Sequence, residues 1–326
     1  MDSEGIPRDR VEHPLGLYWT AQDFTHQQVR DRKFEIIEEV CQRYDIDGID
    51  LNFMRHPVFF GHTMQGLPVS AAELDIMTRL IRRIRRLTDA RGLERDRPIL
   101  IAAIVSDSFQ LCKNVGLDLE TWIEEDLVDI VIPGLGYAPF SLPVDEFVGL
   151  AHRHGVKVYP CINRKAPQQL PEELVAEGFR GITANWYAAG ADGIFFWNLG
   201  TPFVEKIGND LIETRNRYYA ALPDLRSLRT LQAAARDGSL KNATMIIQIS
   251  GMTETGKLSL SLNNQNLIEY QTVDVSDDSL RVSCHLNASQ VKQGNNVVQV
   301  TLQESGVSPN ETVQLNQVRL LVRYGP

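Results

Sequence analysis

Asp50 and Asp107 are the carboxyl groups of this 326-residue chain whose settings suit acid–base chemistry. Asp50 stands in Asp47-Gly48-Ile49-Asp50-Leu51-Asn52-Phe53-Met54-Arg55-His56-Pro57. Read as a strand, this run places Ile49, Leu51 and Phe53 on one face and Asp50, Asn52 and Met54 on the other. A parallel sheet buries both faces, so a carboxylate there is expected to be either paired or used. Asp107 follows the next apolar run, in Val105-Ser106-Asp107-Ser108. Two such carboxyls can divide the work, one kept protonated by burial as an acid and one ionised as a base or nucleophile. The competing structural roles are an N-cap or a salt bridge to Arg55 for Asp50, and a helix or turn cap for Asp107.

Both residues depend on alternating elements between about 14 and 220. Strand patterns cover Leu15–Trp19, Asp47–Phe53, Pro98–Val105, Val128–Pro133, Val156–Ile162 and Asp192–Trp197. Helical patterns cover Arg32–Tyr44, Ala71–Arg91, Leu119–Glu125, Val144–His154, Pro171–Ala189 and Phe203–Ala221. The alternation predicts parallel pairing through right-handed crossovers. Polar or aromatic residues follow the strands, as in a (β/α)8 barrel, but about six units are countable where eight are needed. The expected fold is therefore α/β, a TIM-type barrel incomplete at its N-terminus. Asp47 and Asp192 each open an Asp-Gly-Ile strand start and read as structural. From Asn242 short alternating strands separated by Gly, Asn, Asp and Ser predict a small all-β sandwich. The expected domains are 1–221 for the barrel region, 222–241 for a linker and 242–326 for the sandwich.

Composition excludes several classes. The net charge of -9 opposes a general nucleic-acid binder. The basic run Arg82-Arg83-Ile84-Arg85-Arg86 falls in a helical pattern and reads as a solvated face rather than a polyanion site. Cys41, Cys112, Cys161 and Cys284 are dispersed, without metal-ligand spacing or a disulfide framework. No apolar run reaches the ~20 residues of a membrane helix, and Met1–Arg10 lacks the apolar centre of a signal peptide. With no phosphate loop or dinucleotide fingerprint, no metal or organic cofactor is expected. A soluble chain of open oligomeric state follows.

Three stretches together resemble the family 10-like glycosyl hydrolases. They are Tyr44–Pro57, Gly116–Trp122 with Leu127–Gly134, and Ala188–Ile194. The resemblance implies a (β/α)8 barrel whose fourth strand is Asp47–Phe53 and whose eighth is Asp192–Trp197, with the first two βα units lacking. It also implies an accessory role for the β-domain and a poly- or oligosaccharide substrate, with Asp50 and Asp107 as catalytic carboxyls. Arg55 and His56, starting the loop after the Asp50 strand, would line the pocket, and Asn52 would hydrogen-bond sugar hydroxyls. Trp19, Tyr137 and Trp197 with Asn198 fall at strand ends or in the turns after them, where a ring can pack on the apolar face of a sugar. Three positions depart from the pattern: Asn52 where the family usually has an acid, Met54 where a chitinase-type signature would need Glu, and Ile104 where relatives tend to carry Arg. These departures keep two other readings open, a non-catalytic carbohydrate-binding protein and an inactive barrel fragment.

Overall fold

The computed structural model describes residues 21–54, 57–134, 142–163, 175–198, 219–220, 222–231, 239–250, 258–267, 271–276, 279–292, 296–302 and 314–325. The expected strand Leu15–Trp19, with Trp19, lies outside them, as do Arg55, His56, Tyr137 and most of the expected 203–221 helix. The chain divides into two compact units, Met1–Gln169 with Asn185–Leu211 and Leu170–Ala184 with Ile212–Pro326.

The first unit alternates helix and strand. Its elements are α1 (Gln27–Arg43), β1 (Gly48–Asn52), α2 (Ala71–Glu94), β2 (Leu100–Val105), α3 (Phe109–Asn114), α4 (Leu119–Glu124), β3 (Ile130–Pro133), α5 (Val144–Ala151), β4 (Lys157–Val158), β5 (Cys161–Asn163), α6 (Val175–Ala188, shared between the units) and β6 (Phe195–Trp197). Strands β1-β2-β3-β4 form one parallel sheet, and β5 pairs in parallel with β6. The run expected as a single strand over 156–162 is interrupted at Pro160, which has no N–H to give the ladder. Tyr159 N–H still donates to Val131 O (2.9 Å), whereas Pro160 O accepts from Phe195 N–H (3.0 Å). The chain therefore changes neighbours at the proline.

Each strand divides its side chains as period two requires. Ile49, Leu51, Phe53, Ile101, Ala103, Val105, Val131 and Val158 pack with Met77, Ile81 and Ile84 of α2, Trp122 of α4 and Phe147 of α5. The opposite face forms a smaller cluster around Ile104, Ile132 and Cys161. A capping box starts α2: Ser70 Oγ accepts from Glu73 N–H (3.4 Å) and Glu73 Oε2 accepts from Ser70 N–H (2.8 Å).

The basic run of α2 is largely consumed by neighbours. Arg82 donates twice to Glu125 (2.6 Å each). Arg83 reaches Asp31 (2.6 Å) and lies 3.7 Å above the Phe34 ring. Arg85 bonds Asp129 (2.8 Å) and Ile99 O (3.1 Å). Arg82 and Arg83 stay substantially exposed on a solvated face while pairing with these carboxylates, and Arg85 is the one of the three that is largely buried.

In the second unit β7 (Ser239–Ser250), β8 (Leu258–Leu262), β9 (Gln265–Leu267), β10 (Gln271–Ser276), β11 (Ser279–Leu286), β12 (Val298–Leu302) and β13 (Gln314–Gly325) form two antiparallel sheets. Their orders are β10-β11-β7-β13 and β12-β8-β9, and one apolar cluster draws on both. Asn263 and Asn264, at φ 53° and 66°, make the two-residue turn between β8 and β9, a left-handed pair that Asn tolerates. Part of the stretch expected as a linker is folded: Leu222–Arg226 is a 3-10 turn, Arg180 donates to Asp224 Oδ2 (2.8 and 3.0 Å), and β7 already begins at Ser239. All four cysteines are buried and unbonded.

Candidate carboxyl site on the inner sheet face

The residues that could do chemistry occupy the face of the parallel sheet away from α2. β1 contributes Asp50 and Asn52, followed by Met54, as the alternation predicts. Ala102, Ile104, Ile130, Ile132, Tyr159, Cys161, Phe195 and Trp197 belong to the same cluster as Met54.

The ladder fixes their depth. Asp50 is opposite Ala102 and Asn52 is opposite Ile104. Ser106 Oγ donates to Met54 Sδ at 3.3 Å, which extends that level beyond the last paired residues. Asp50 therefore lies deeper than the strand-end position expected for it, four residues before Met54. Asp107 lies five residues beyond the level of the Asp50–Ala102 pair, up to about 16 Å along an extended strand.

Asp107 does not do the capping considered for it, and the pairing of Asp50 with Arg55 lies outside the described residues. The cap of α3 is Ser108, whose Oγ accepts from Leu111 N–H (3.2 Å), so Asp107 is not the cap. Among the described residues neither Asp50 nor Asp107 has a hydrogen-bond or ion-pair partner. Burial alone raises the pKa of each above the ordinary carboxylate value. Asp50 nonetheless keeps an exposed surface, whereas Asp107 is half-buried. We take Asp107 as the more desolvated of the two, because lost solvent contact and the raised pKa agree there. Burial first, and with it the charges of Asp107 and Asp50, push the Cys161 thiol up to about 12, so both carboxyls are felt at one point on this face.

Asn52 Oδ1 accepts from Met54 N–H (3.0 Å), a side-chain-to-backbone turn that fixes the end of β1 and leaves the amide N–H groups without a described partner. Trp197 is half-buried in the inner cluster with Phe195, ring centroids 6.4 Å apart, and Asn198 follows at φ 56°. Arg55, His56, Tyr137 and Trp19 lie outside the described residues, so the site is built from Asp50, Asn52, Asp107, Trp197 and their neighbours. Sequence reasoning passed over Ser106, Tyr159, Cys161 and Asn163 on these strands. Asn163 is buried and opposite Trp197; a polar residue ending an apolar strand was the available signal. Among the described residues no group of three or more His, Cys, Asp or Glu side chains is placed to hold a metal, and no helix is long and apolar enough to cross a membrane.

No protein-family model matches the chain, and no curated protein does. Among solved structures it is similar to a glycoside hydrolase family 18 N-acetylglucosaminidase from Paenibacillus barengoltzii (14% identity, TM-score 0.42, covering 62% of this chain and 80% of that one). It is also similar to the chitinase ChiW from Paenibacillus sp. str. FPU-7 (13%, 0.43, 93% and 45%) and to the PgaB (BpsB) glycoside hydrolase domain from Bordetella bronchiseptica (14%, 0.37, 62% and 63%). The first of these is a family 18 enzyme, and none of the three is described as a family 10-like protein. At TM-scores below 0.5 the overlaps are partial, and the chemistry of the site rests on its own geometry.

Proposed function

We propose that the first unit is a glycoside hydrolase-like (β/α) barrel region acting on a poly- or oligosaccharide at the C-terminal end of its parallel strands, and that the second is a β-sandwich accessory domain. One observation carries this reading: Asp50 and Asp107, both raised by burial, act on the same buried thiol, Cys161, and neither has a structural partner among the described residues. A fold does not keep such groups for stability, since desolvating an unpaired carboxylate costs free energy. Asp107, the more buried, is the acid that gives its proton to the glycosidic oxygen. Asp50, the more exposed, is the base that takes a proton from water. Retention needs carboxyls about 5–5.5 Å apart and inversion about 6.5–9.5 Å. Their five-residue difference in depth, up to about 16 Å along the strand, exceeds both windows, so an acid–base pairing requires the two side chains to lean toward each other. Trp197 supplies a ring for a sugar face, and the amide N–H groups of Asn52, without a partner among the described residues, supply donors for a hydroxyl.

A second reading is favoured by Met54. At the strand-end level beside Ser106 it offers a thioether, which accepts a hydrogen bond and has no proton to give. On that reading the same face binds glycan without cleaving it.

Reducing-end release from neutral, acidic and sulfated oligosaccharides, measured with the full chain and with Asp107→Asn and Asp50→Asn, separates the two. Hydrolysis that falls by about 100-fold or more in Asp107→Asn supports the acid assignment. Hydrolysis unaffected by Asp107→Asn removes it. A glycan-dependent rise in melting temperature without turnover between pH 4 and 8 establishes the binding reading.

A further inference from the structure

The loop that leaves β1 toward α2 is fixed in its first half by contacts that need no proton change. Phe24 N–H donates to Phe59 O (2.8 Å), Gly61 N–H to Asp23 Oδ2 (3.0 Å) and Thr63 Oγ to Phe60 O (2.7 Å). Phe60 is fully buried against Gly116, whose φ of +96° and contact with the ring leave no room for a Cβ. The second half, Gln65–Pro68, is exposed. His62 connects it to the helix. Its Nε2 lies 3.2 Å from Pro68 O and its Nδ1 3.3 Å from Glu73 Oε1. Both oxygens are pure acceptors, one a carbonyl and the other the carboxylate of the α2 capping box.

A neutral imidazole has one N–H and one lone pair, so it can satisfy only one of these oxygens; the doubly protonated ring satisfies both. Glu73, whose side chain is 12% exposed, already accepts from Ser70 N–H and Ser70 Oγ (2.8 Å each) and has His62 as its described cationic partner. Asp23 and His26 are the other described titratable groups at this end of the loop; Asp23 is held by Thr25 and Gly61. We infer that His62 is a proton-operated clasp: with both nitrogens protonated it binds the exposed half of the β1–α2 loop to the start of α2, and loss of one proton releases the Pro68 side. Deprotonation leaves the charge-assisted bond to Glu73 and turns a lone pair toward Pro68 O, so Met64–Pro68 loosens first. Because this loop leaves the C-terminal end of β1, the clasp sets how firmly one border of the inner face is held. The inference does not depend on the glycan reading.

Amide hydrogen exchange of residues 61–70 in the full chain, corrected for intrinsic pH dependence, tests it across pH 5.5 to 8. Exchange should quicken about two- to fivefold as pH rises, the range of a partly exposed ion pair. In His62→Gln, which lacks the titrating proton, that dependence should vanish while the rest of the chain is unchanged. Ring nitrogen resonances assigned by the same substitution should show both His62 nitrogens protonated at pH 5.5. A pH response identical in His62→Gln, or no response in the native chain, overturns the clasp.

Discussion

Carboxylates in the parallel sheet fall into two groups. Asp129 and Asp192, just before strands, are saturated with donors. Asp129 Oδ2 accepts from Ile101 N–H (2.7 Å) and from Arg85. Asp192 accepts from Val158 N–H (2.9 Å), His152 Nε2 (2.8 Å) and Lys157 Nζ (3.0 Å). Burial pushes the Asp192 carboxyl up, yet those three donors outweigh it and hold the group below the ordinary range. Asp50, in the middle of β1, and Asp107, beyond the end of β2, have burial without described donors, and both move up. Residue type is constant across the comparison, so the number of donors around each carboxyl decides its state.

Removing a saturated carboxyl should cost most. Asp192→Ala leaves the Val158 N–H, the His152 ring and the Lys157 ammonium without their acceptor, and should lower unfolding stability by about 2 kcal/mol in urea. The stabilisation from Asp192 is complete above the unfolded Asp value of about 3.9 and fades as pH falls through the lower folded value. The variant should therefore converge with the native chain in strong acid, and a constant gap at all pH values would break the comparison.

Asp107→Asn should act in the other direction, neutral or stabilising by up to about 1 kcal/mol near pH 7, because it removes an unpaired desolvated carboxylate. Its raised folded pKa means the folded state holds an extra proton just above about pH 3.9, so native stability declines as pH rises through that window. Urea midpoints for the variant should lack that decline. The smallest effect is expected at the surface: Arg82→Ala, which breaks a largely solvated pair with Glu125, should cost about 0.5 kcal/mol or less and fade in 0.5 M salt.

Much of the first unit was legible because alternation is local. Ile49, Leu51 and Phe53 had to share a face against helices, and Asp50 had to take the other. Depth was not legible, since it comes from pairing between strands: only the match of Asp50 with Ala102 reveals that this residue sits below the strand end. Likewise, an apolar run over 156–162 predicts a strand, but Pro160 changes its neighbour without changing its hydropathy. The short helix Phe109–Asn114 went unpredicted because its six residues are too few for a periodic signal. Gln271–Ser276 went unpredicted because Gln, Asp and Ser dilute its alternation, and it is held chiefly by its ladder with β11. Asn52 illustrates the site's version of the problem: its amide oxygen is spent on a turn, a role indistinguishable in sequence from sugar binding.

The buried, unbonded cysteines have a further consequence. Cys41, Cys112 and Cys161 belong to the first unit and Cys284 to the second. A thiol reagent must wait for each environment to open, so modification rates read at single residues form a set of internal clocks. The clock at Cys284 keeps time for the β-domain, and that at Cys161 for the layer beneath the two carboxyls.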